Sequence, residues 1–540
     1  MSAKFYASAV NPKTVVTPQT EAIPGRESEM VANSAGGVVF ALDEWSYLDR
    51  FLILGSEKNS YYASAQSLTV KAAANVMKLI EQDAVRVVNR IVEISDAGRA
   101  PKNDSAIFAL ALVAVYANQE GRQLAYQALP KVCRIGTHLF QFVEVLNQLG
   151  KWNSLAKKGI ANWYNAKSLD SVTYQILKYQ NRNGWRHRDV LRLAHVKPDG
   201  VQRSSVYGWA AQAKPALGKA LELPEILVAY DELHSNPSID KALDYIEKFN
   251  LTWEMLPTSV LKSTDIWTAL IPSMGYTALI RNLGRMGSLG MFKPLSDASG
   301  LVIDRLSNTQ LLGKSRVHPV SILSALKTYS QGRGDRGSLV WDVNARIKEA
   351  LNDAFYEAFG NVEPTGKKIL MGIDCSGSMF GANVCGLNNL TAAEAAAVMA
   401  MAIVRKETNY WIGGFGHQMI GELPISPKMQ LDQVMATIRQ FNWGGTDVSL
   451  PAVFATKQKM DVDLFCTITD NETYAGRIQP TQALRDYRKV MNKPNARQVV
   501  CGTSVTNFTV ADPKDPLQMD LAGFDANIPG LIASFVLGQF

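Results

Sequence analysis

Residues 368–378 read Lys-Ile-Leu-Met-Gly-Ile-Asp-Cys-Ser-Gly-Ser. The run from Lys368 to Ile373 is short and apolar, which reads as a strand buried on both faces. It runs straight into Asp374, Ser376 and Ser378, three oxygen-bearing residues at every second position. The same grammar continues downstream. Tyr410–Phe415, Leu464–Thr469 and Arg497–Cys501 read as strands, while Thr391–Arg405, Leu431–Phe441, Pro451–Lys459 and Gln482–Met491 read as helices. Strands alternating with helices predict a doubly wound, mostly parallel sheet. Such sheets bind ligands beyond the carboxyl ends of their strands.

Two more segments belong at that edge. Gly444-Gly-Thr446-Asp447 precedes a helix, and Asp470-Asn-Glu472 ends the strand Leu464–Thr469. Together with Asp374, Ser376 and Ser378 they offer only carboxylates and hydroxyls, a hard donor set that suits Mg²⁺, with Mn²⁺ as the second choice. Few protein carboxylates leave room for an acidic side chain from a partner. A D-x-D phosphatase needs a second acid where Ser376 stands. A serine hydrolase needs a G-x-S-x-G elbow and a paired His, and neither serine sits in one. The plain structural alternative is that Asp374 and the serines cap a turn or helix.

Upstream the pattern is different. From about Leu68 to Ala350 it is helical almost throughout, cut into helices of ordinary length by breakers such as Pro130, Gly150 and Pro257. Ile107–Ala117 is apolar all round and predicts a helix buried on every side. Stacked helix pairs of the solenoid type are the natural architecture. The chain of 540 residues is 47% apolar and 19% charged, which excludes general disorder. Its longest apolar run is too short to span a membrane, and the first residues show no apolar stretch of a secretory signal. Five cysteines without a C-x-x-C pair argue against a disulfide framework or zinc knuckle and fit a reducing cytoplasm. The net charge of +7 is uneven: residues 151–200 hold ten Lys/Arg against three acids, while residues 361–540 hold fifteen against sixteen. That asymmetry favours a polyanion partner for the first part alone. A solvated helical face is the bland counterpart.

Specific runs then suggest a family. Asp374-x-Ser376-x-Ser378, Gly444-Gly-Thr446-Asp447 and Thr469-Asp-Asn-Glu472 on an alternating sheet resemble a von Willebrand factor A domain with its metal-ion-dependent adhesion site. The preceding region resembles the TROVE module of the Ro ribonucleoprotein (Ro/SS-A autoantigen) family. The matching runs are Leu48–Ser56, Val132–Phe142, Ile160–Tyr164, Lys178–Pro198, Thr277–Met286, Val317–Gly332 and Glu363–Lys367, with Thr469–Gly476 and Val500–Asp512 in the second part. The resemblance implies a mainly α plus α/β chain. Residues 1–360 would form a ring-like domain of HEAT-type helical repeats, and residues 361–540 a doubly wound von Willebrand factor A-like domain. It implies a metal bound by Asp374, Ser376, Ser378, Thr446 and Asp470. It also implies a cytoplasmic, non-enzymatic protein of RNA quality control. Such a protein holds small noncoding Y-type RNAs on a basic outer surface and single-stranded 3′ ends of misfolded RNAs in a central hole. An exoribonuclease or another protein would be the partner at the metal site, and no membrane is involved.

The residues themselves allow a physical version of this. Lys178, Arg182 and Arg186 are four apart, one stripe if the segment is helical. Gly184 would interrupt it, giving a helix–turn–helix with Arg188, Arg192 and His195 on the second helix. Arginines can fork onto phosphates and stack on unpaired bases. His187 either donates to phosphate or is a capping or core residue, and Trp185 reads as a packing anchor. Arg134, Thr137, His138, Arg281, Asn282 and Arg285 are expected on the ring's inner face, whereas Cys133, Phe140 and Leu283 read as core. The competing function is a metal-dependent, adhesion-type protein-interaction module with no direct RNA role.

Overall fold

The computed structural model describes residues 16–54, 68–100, 102–150, 152–211, 222–315, 317–334, 338–358, 364–381, 391–441, 444–503, 506–522 and 528–538. Helices run from Glu44–Leu54 to Ala345–Glu357, and among the described residues the sheet structure between them is a two-stranded ribbon and one isolated bridge, Arg333 to Val340. Each helix packs mainly on near neighbours in sequence. Leu68–Asp96 lies on Asp104–Tyr116 and Gln119–Val132, and Gln119–Val132 lies on Ser154–Asn165. That is the short-range stacking of a helical repeat. Leu68–Asp96 is broken at Asp83, whose carboxylate accepts the Arg86 N–H and so restarts the helix. Asp104–Tyr116 is buried on nearly every side, as its apolar run requires, with Asp104 and Tyr116 exposed at its two ends.

The second part is a six-stranded sheet. The strands among the described residues are β1 (Met30–Ala32), β2 (Val38–Ala41), β3 (Asn181–Arg182), β4 (Trp185–Arg186), β5 (Ile369–Asp374), β6 (Tyr410–Phe415), β7 (Met419–Glu422), β8 (Leu464–Thr469), β9 (Arg497–Gly502), β10 (Phe508–Thr509) and β11 (Gln518–Ala522). The large sheet has the order β11-β9-β8-β5-β6-β7. All its pairings are parallel except that of β7, which returns antiparallel on β6. From β5 the chain builds first to one side and then, from β8, to the other. The switch point therefore lies between the carboxyl ends of β5 and β8. The helix Ala392–Val404 is Ala-rich because its described side chains are almost all fully buried, and small residues let it lie close to the sheet. Cys133, Cys375, Cys466 and Cys501 are free and buried.

The two parts are tied at both ends of the helical run, which closes the chain into a ring. Arg50, on the first helix, is 1% exposed and forks onto Asp520 of β11 at 2.6 and 2.8 Å. Lys327, on the helix Pro319–Ser330, reaches both oxygens of Glu394 at 2.8 Å. A third tie comes from the N-terminal segment. The described residues before Glu44 bond the second domain. β2 pairs with β10, so β1, β2 and β10 form a small sheet on the second domain. Gln19, fully buried, donates to Asp447 at 2.7 Å and to the Ile478 carbonyl at 3.0 Å.

Candidate metal centre and nucleic-acid interface

Asp374 is the last residue of β5 and Asp470 the first after β8, so the two carboxylates meet at the switch point. Both are buried, at 0% and 2% exposure. One oxygen of Asp374 accepts the Ser376 N–H at 2.9 Å, and the other accepts the Thr469 hydroxyl at 2.7 Å. The hydroxyls of Ser376 and Ser378 are 3.1 Å apart, and Ser378 bonds the Asp470 carboxylate. Thr446 is buried on the neighbouring loop. Its carbonyl accepts the N–H groups of Tyr474 and Ala475, tying that loop to the one carrying Asp470. Four of the five expected ligands are thus linked directly, and Thr446 joins them through its backbone.

The electrostatics favour a cation. Burial, then the nearby Asp470, pushes the Asp374 carboxyl well above the ordinary range, and burial raises Asp470 likewise. Burial and Asp470 push Glu472 up to about 7. One Glu472 oxygen accepts the Ala35 N–H at 3.0 Å, while the other is buried without a partner. Two desolvated carboxylates side by side are costly unless a positive charge joins them. No three carboxylate, imidazole or thiolate groups converge among the described residues. The donor set therefore fits a hard divalent ion held by two carboxylates and by hydroxyls, with remaining positions open.

The basic segment departs from the helical expectation. The helix Leu169–Lys178 ends at Lys178, and β3 and β4 then form an antiparallel ribbon. Asn183 and Gly184 take positive φ values of 51° and 81° at its tip. Asn-Gly is the strongest short-range signal for such a tight turn, and it outweighs the four-residue spacing of the cations. Cross-strand pairing sets Arg182 beside Trp185 and Arg186 beside Asn181. The two guanidiniums therefore leave opposite faces of the ribbon instead of sharing a helical stripe. Both are exposed. Lys178 lies 5.5 and 5.6 Å from the rings of Tyr174 and Tyr179. The next helix, His187–Ala194, carries Arg188, paired with Asp189 at 3.2 Å, and exposed Arg192, which donates to the Ala211 carbonyl at 2.6 Å.

His187 belongs to the core. It is 3% exposed, its Nδ1 lies 2.8 Å from the Tyr164 hydroxyl, and its ring stands edge-on to Phe140. Burial holds its pKa down to about 4. Of its two readings the core one holds, and it is a packing residue rather than a phosphate donor, because it points inward from the helix's buried face. Trp185 packs against Trp152 and donates to Glu144 at 2.6 Å. Of the expected inner-face residues, Arg134 and Arg281 are exposed, while Thr137 and Arg285 are half-buried. His138 is half-buried, and desolvation holds its pKa down to about 4. Asn282 is 8% exposed and donates to the Ala278 carbonyl within its own helix. Cys133, Phe140 and Leu283 are fully buried core.

A parallel sheet of this order, with carboxylates and hydroxyls at its switch point, defines a von Willebrand factor A-type domain closing a helical-repeat ring. Residues 368–536 match the Ro60 vWA domain, and residues 31–241 and 246–328 match the TROVE domain. Among curated proteins the chain is 36% identical to an RNA-binding protein RO60 of Deinococcus radiodurans, over 99% of this chain and all of the relative. It is 31% identical to an RNA-binding protein RO60 of Caenorhabditis elegans, over 97% of this chain and 94% of the relative. Among solved structures it is similar to the RO (RSR) protein of Deinococcus radiodurans, with a TM-score of 0.70 and 35% identity, over 92% of this chain and all of that one. The chain belongs to the Ro family of TROVE-domain proteins.

Proposed function

We propose that this protein binds RNA, holding a small noncoding Y-type RNA on its basic surface and the single-stranded 3′ end of misfolded RNA in the ring's hole. Its role is RNA quality control in the cytoplasm, and it is not an enzyme. The observation that carries the reading is the exposed ribbon. Arg182 and Arg186 protrude from it with no ion pair among the described residues, inside the most basic window of the chain. Unpaired guanidiniums on a protruding turn suit phosphate and unpaired bases. The relatives' names, which give RNA binding, support the same reading. A folded RNA hides its 3′ end, so a ring that needs a free end would select defective molecules.

In this reading the second domain is a docking module. Asp374, Ser376, Ser378, Thr446 and Asp470 hold Mg²⁺, or Mn²⁺, which would offset the paired carboxylates and offer a position to an acidic group of a protein such as an exoribonuclease. The ring binds RNA without that ion. Titrating a structured RNA against the wild type and the Arg182→Glu/Arg186→Glu double variant tests the proposal. A loss of roughly tenfold or more is expected. Unchanged affinity would remove the ribbon from the RNA footprint.

A further inference from the structure

The loops of the metal centre are held from outside by the N-terminal segment. One loop carries Thr446 and leads into the helix Leu450–Lys457, and the other spans residues 470–479 after β8. Gln19 lies between them, 428 residues before Asp447 and fully buried. Its side-chain nitrogen donates to the Asp447 carboxylate and to the Ile478 carbonyl. Its side-chain oxygen accepts the Thr473 hydroxyl and, at 3.2 Å, the Gly476 N–H. Its backbone N–H donates to the Gly476 carbonyl at 3.0 Å, and its backbone carbonyl accepts the Val38 N–H at 2.6 Å. Each polar group of Gln19 therefore has a partner, as a buried amide requires.

These bonds converge on residues beside the expected ligands. Asp447 follows Thr446 directly, and the oxygen that accepts Gln19 also accepts the Ser449 N–H and hydroxyl. The Thr473 hydroxyl, while donating to Gln19, accepts the Val448 N–H at 3.1 Å. Further along the segment, Asn33 donates to the Thr473 carbonyl at 2.7 Å. Gly37 passes so close that a Cβ there would fall 1.8 Å from the same carbonyl oxygen. Gly476 is equally enclosed, since a Cβ would meet Gln19 at 2.2 Å and Asp447 at 2.4 Å. Exchanging water for protein hydrogen bonds adds little net stability. What the amide adds is direction. It sets the spacing between two loops that each carry an expected ligand, Thr446 on one and Asp470 on the other.

We propose, resting on the Mg²⁺ site read above, that Gln19 is a positioning residue for the metal centre. Residues 17–37 are the strap that holds the two loops in the geometry that binds the ion. The test is calorimetric titration of the full-length protein with Mg²⁺. Gln19→Met keeps most of the side-chain volume and removes its four hydrogen bonds. It should weaken Mg²⁺ by roughly tenfold or more, the usual effect of losing an outer partner of a metal site. Arg488→Met controls for stability alone. It removes bonds to Asp515 and to the Ala496 carbonyl in the same domain, and should leave Mg²⁺ affinity unchanged. Coupling between two sites is reciprocal, so Mg²⁺ should in turn slow hydrogen exchange at the Gln19 and Val38 amides of the wild type. That measurement decides the matter even where Gln19→Met does not fold. Wild-type affinity in Gln19→Met, an equal loss in Arg488→Met, or exchange at Gln19 and Val38 that ignores bound Mg²⁺ would each overturn the strap and leave the metal site standing. Absence of Mg²⁺ binding by the wild type would overturn the site and the strap together.

Discussion

Gly284 and His187 show how much hangs on single positions. A Cβ at Gly284 would fall 2.7 Å from the Trp341 ring, which is 7% exposed and held by its bond to the Tyr329 carbonyl. Gly284→Ala should therefore cost about 1–3 kcal/mol in urea unfolding, as overpacking does, although alanine is the better helix former. A neutral or stabilising result would mean the indole can move aside. His187 carries a pH signature. Its pKa is held at about 4 in the folded state against 6.5 when exposed. Between these values the unfolded chain binds more protons, so its contribution is complete above pH 6.5 and is lost as pH falls through 4. About 3 kcal/mol is at stake for this one residue, and His187→Gln should flatten the slope of stability in that window. The sequence could name His187 but not choose between its roles. That choice is made by Phe140 and Tyr164, which come from other helices.

At the scale of elements, legibility followed burial. The central strands of the second domain were readable because strands covered on both faces are short apolar runs: Tyr410–Phe415 and Leu464–Thr469 fall where the pattern puts them. The edge strand β7 and the two-residue β10 have no such run, and β2's pairing with β10 joins residues far apart in sequence. The carboxylate pair at the switch point was legible from strand ends alone, whereas its strap through Gln19 was not. The cations of the ribbon keep helical spacing, which favours a helix on each side of Gly184, but Asn183-Gly184 carries the hairpin signal and the chain forms a ribbon there. Gly184→Val is thus predicted to cost about 1–2 kcal/mol locally, since a β-branched residue resists φ near +81°. It should also weaken RNA binding without removing any charge. Full RNA affinity in Gly184→Val would show that ribbon geometry does not matter. For the metal loops, Asp374→Ala should abolish Mg²⁺ binding by calorimetry while leaving RNA affinity unchanged. A large loss of RNA affinity in a folded variant would contradict that separation.

For the whole molecule, the two domains and their order are written in the change from helical periodicity to alternating strands and helices. Ring closure is not, because it depends on pairs such as Arg50 and Asp520, 470 residues apart. Removing that buried guanidinium with Arg50→Met should cost about 3–5 kcal/mol by stranding Asp520. It should also split thermal unfolding into separate transitions for the two domains. A single unshifted transition would show that closure does not depend on this pair. The central claim of the proposed function is that the protein reads the free end of an RNA. The most direct test titrates a hairpin RNA with a single-stranded 3′ tail and the same hairpin blunt-ended across a salt series. The tailed RNA is expected to bind at least roughly tenfold tighter, with log K falling against log salt at a slope of about −4, as about six neutralised phosphates imply. Equal, weak binding of both RNAs would contradict it.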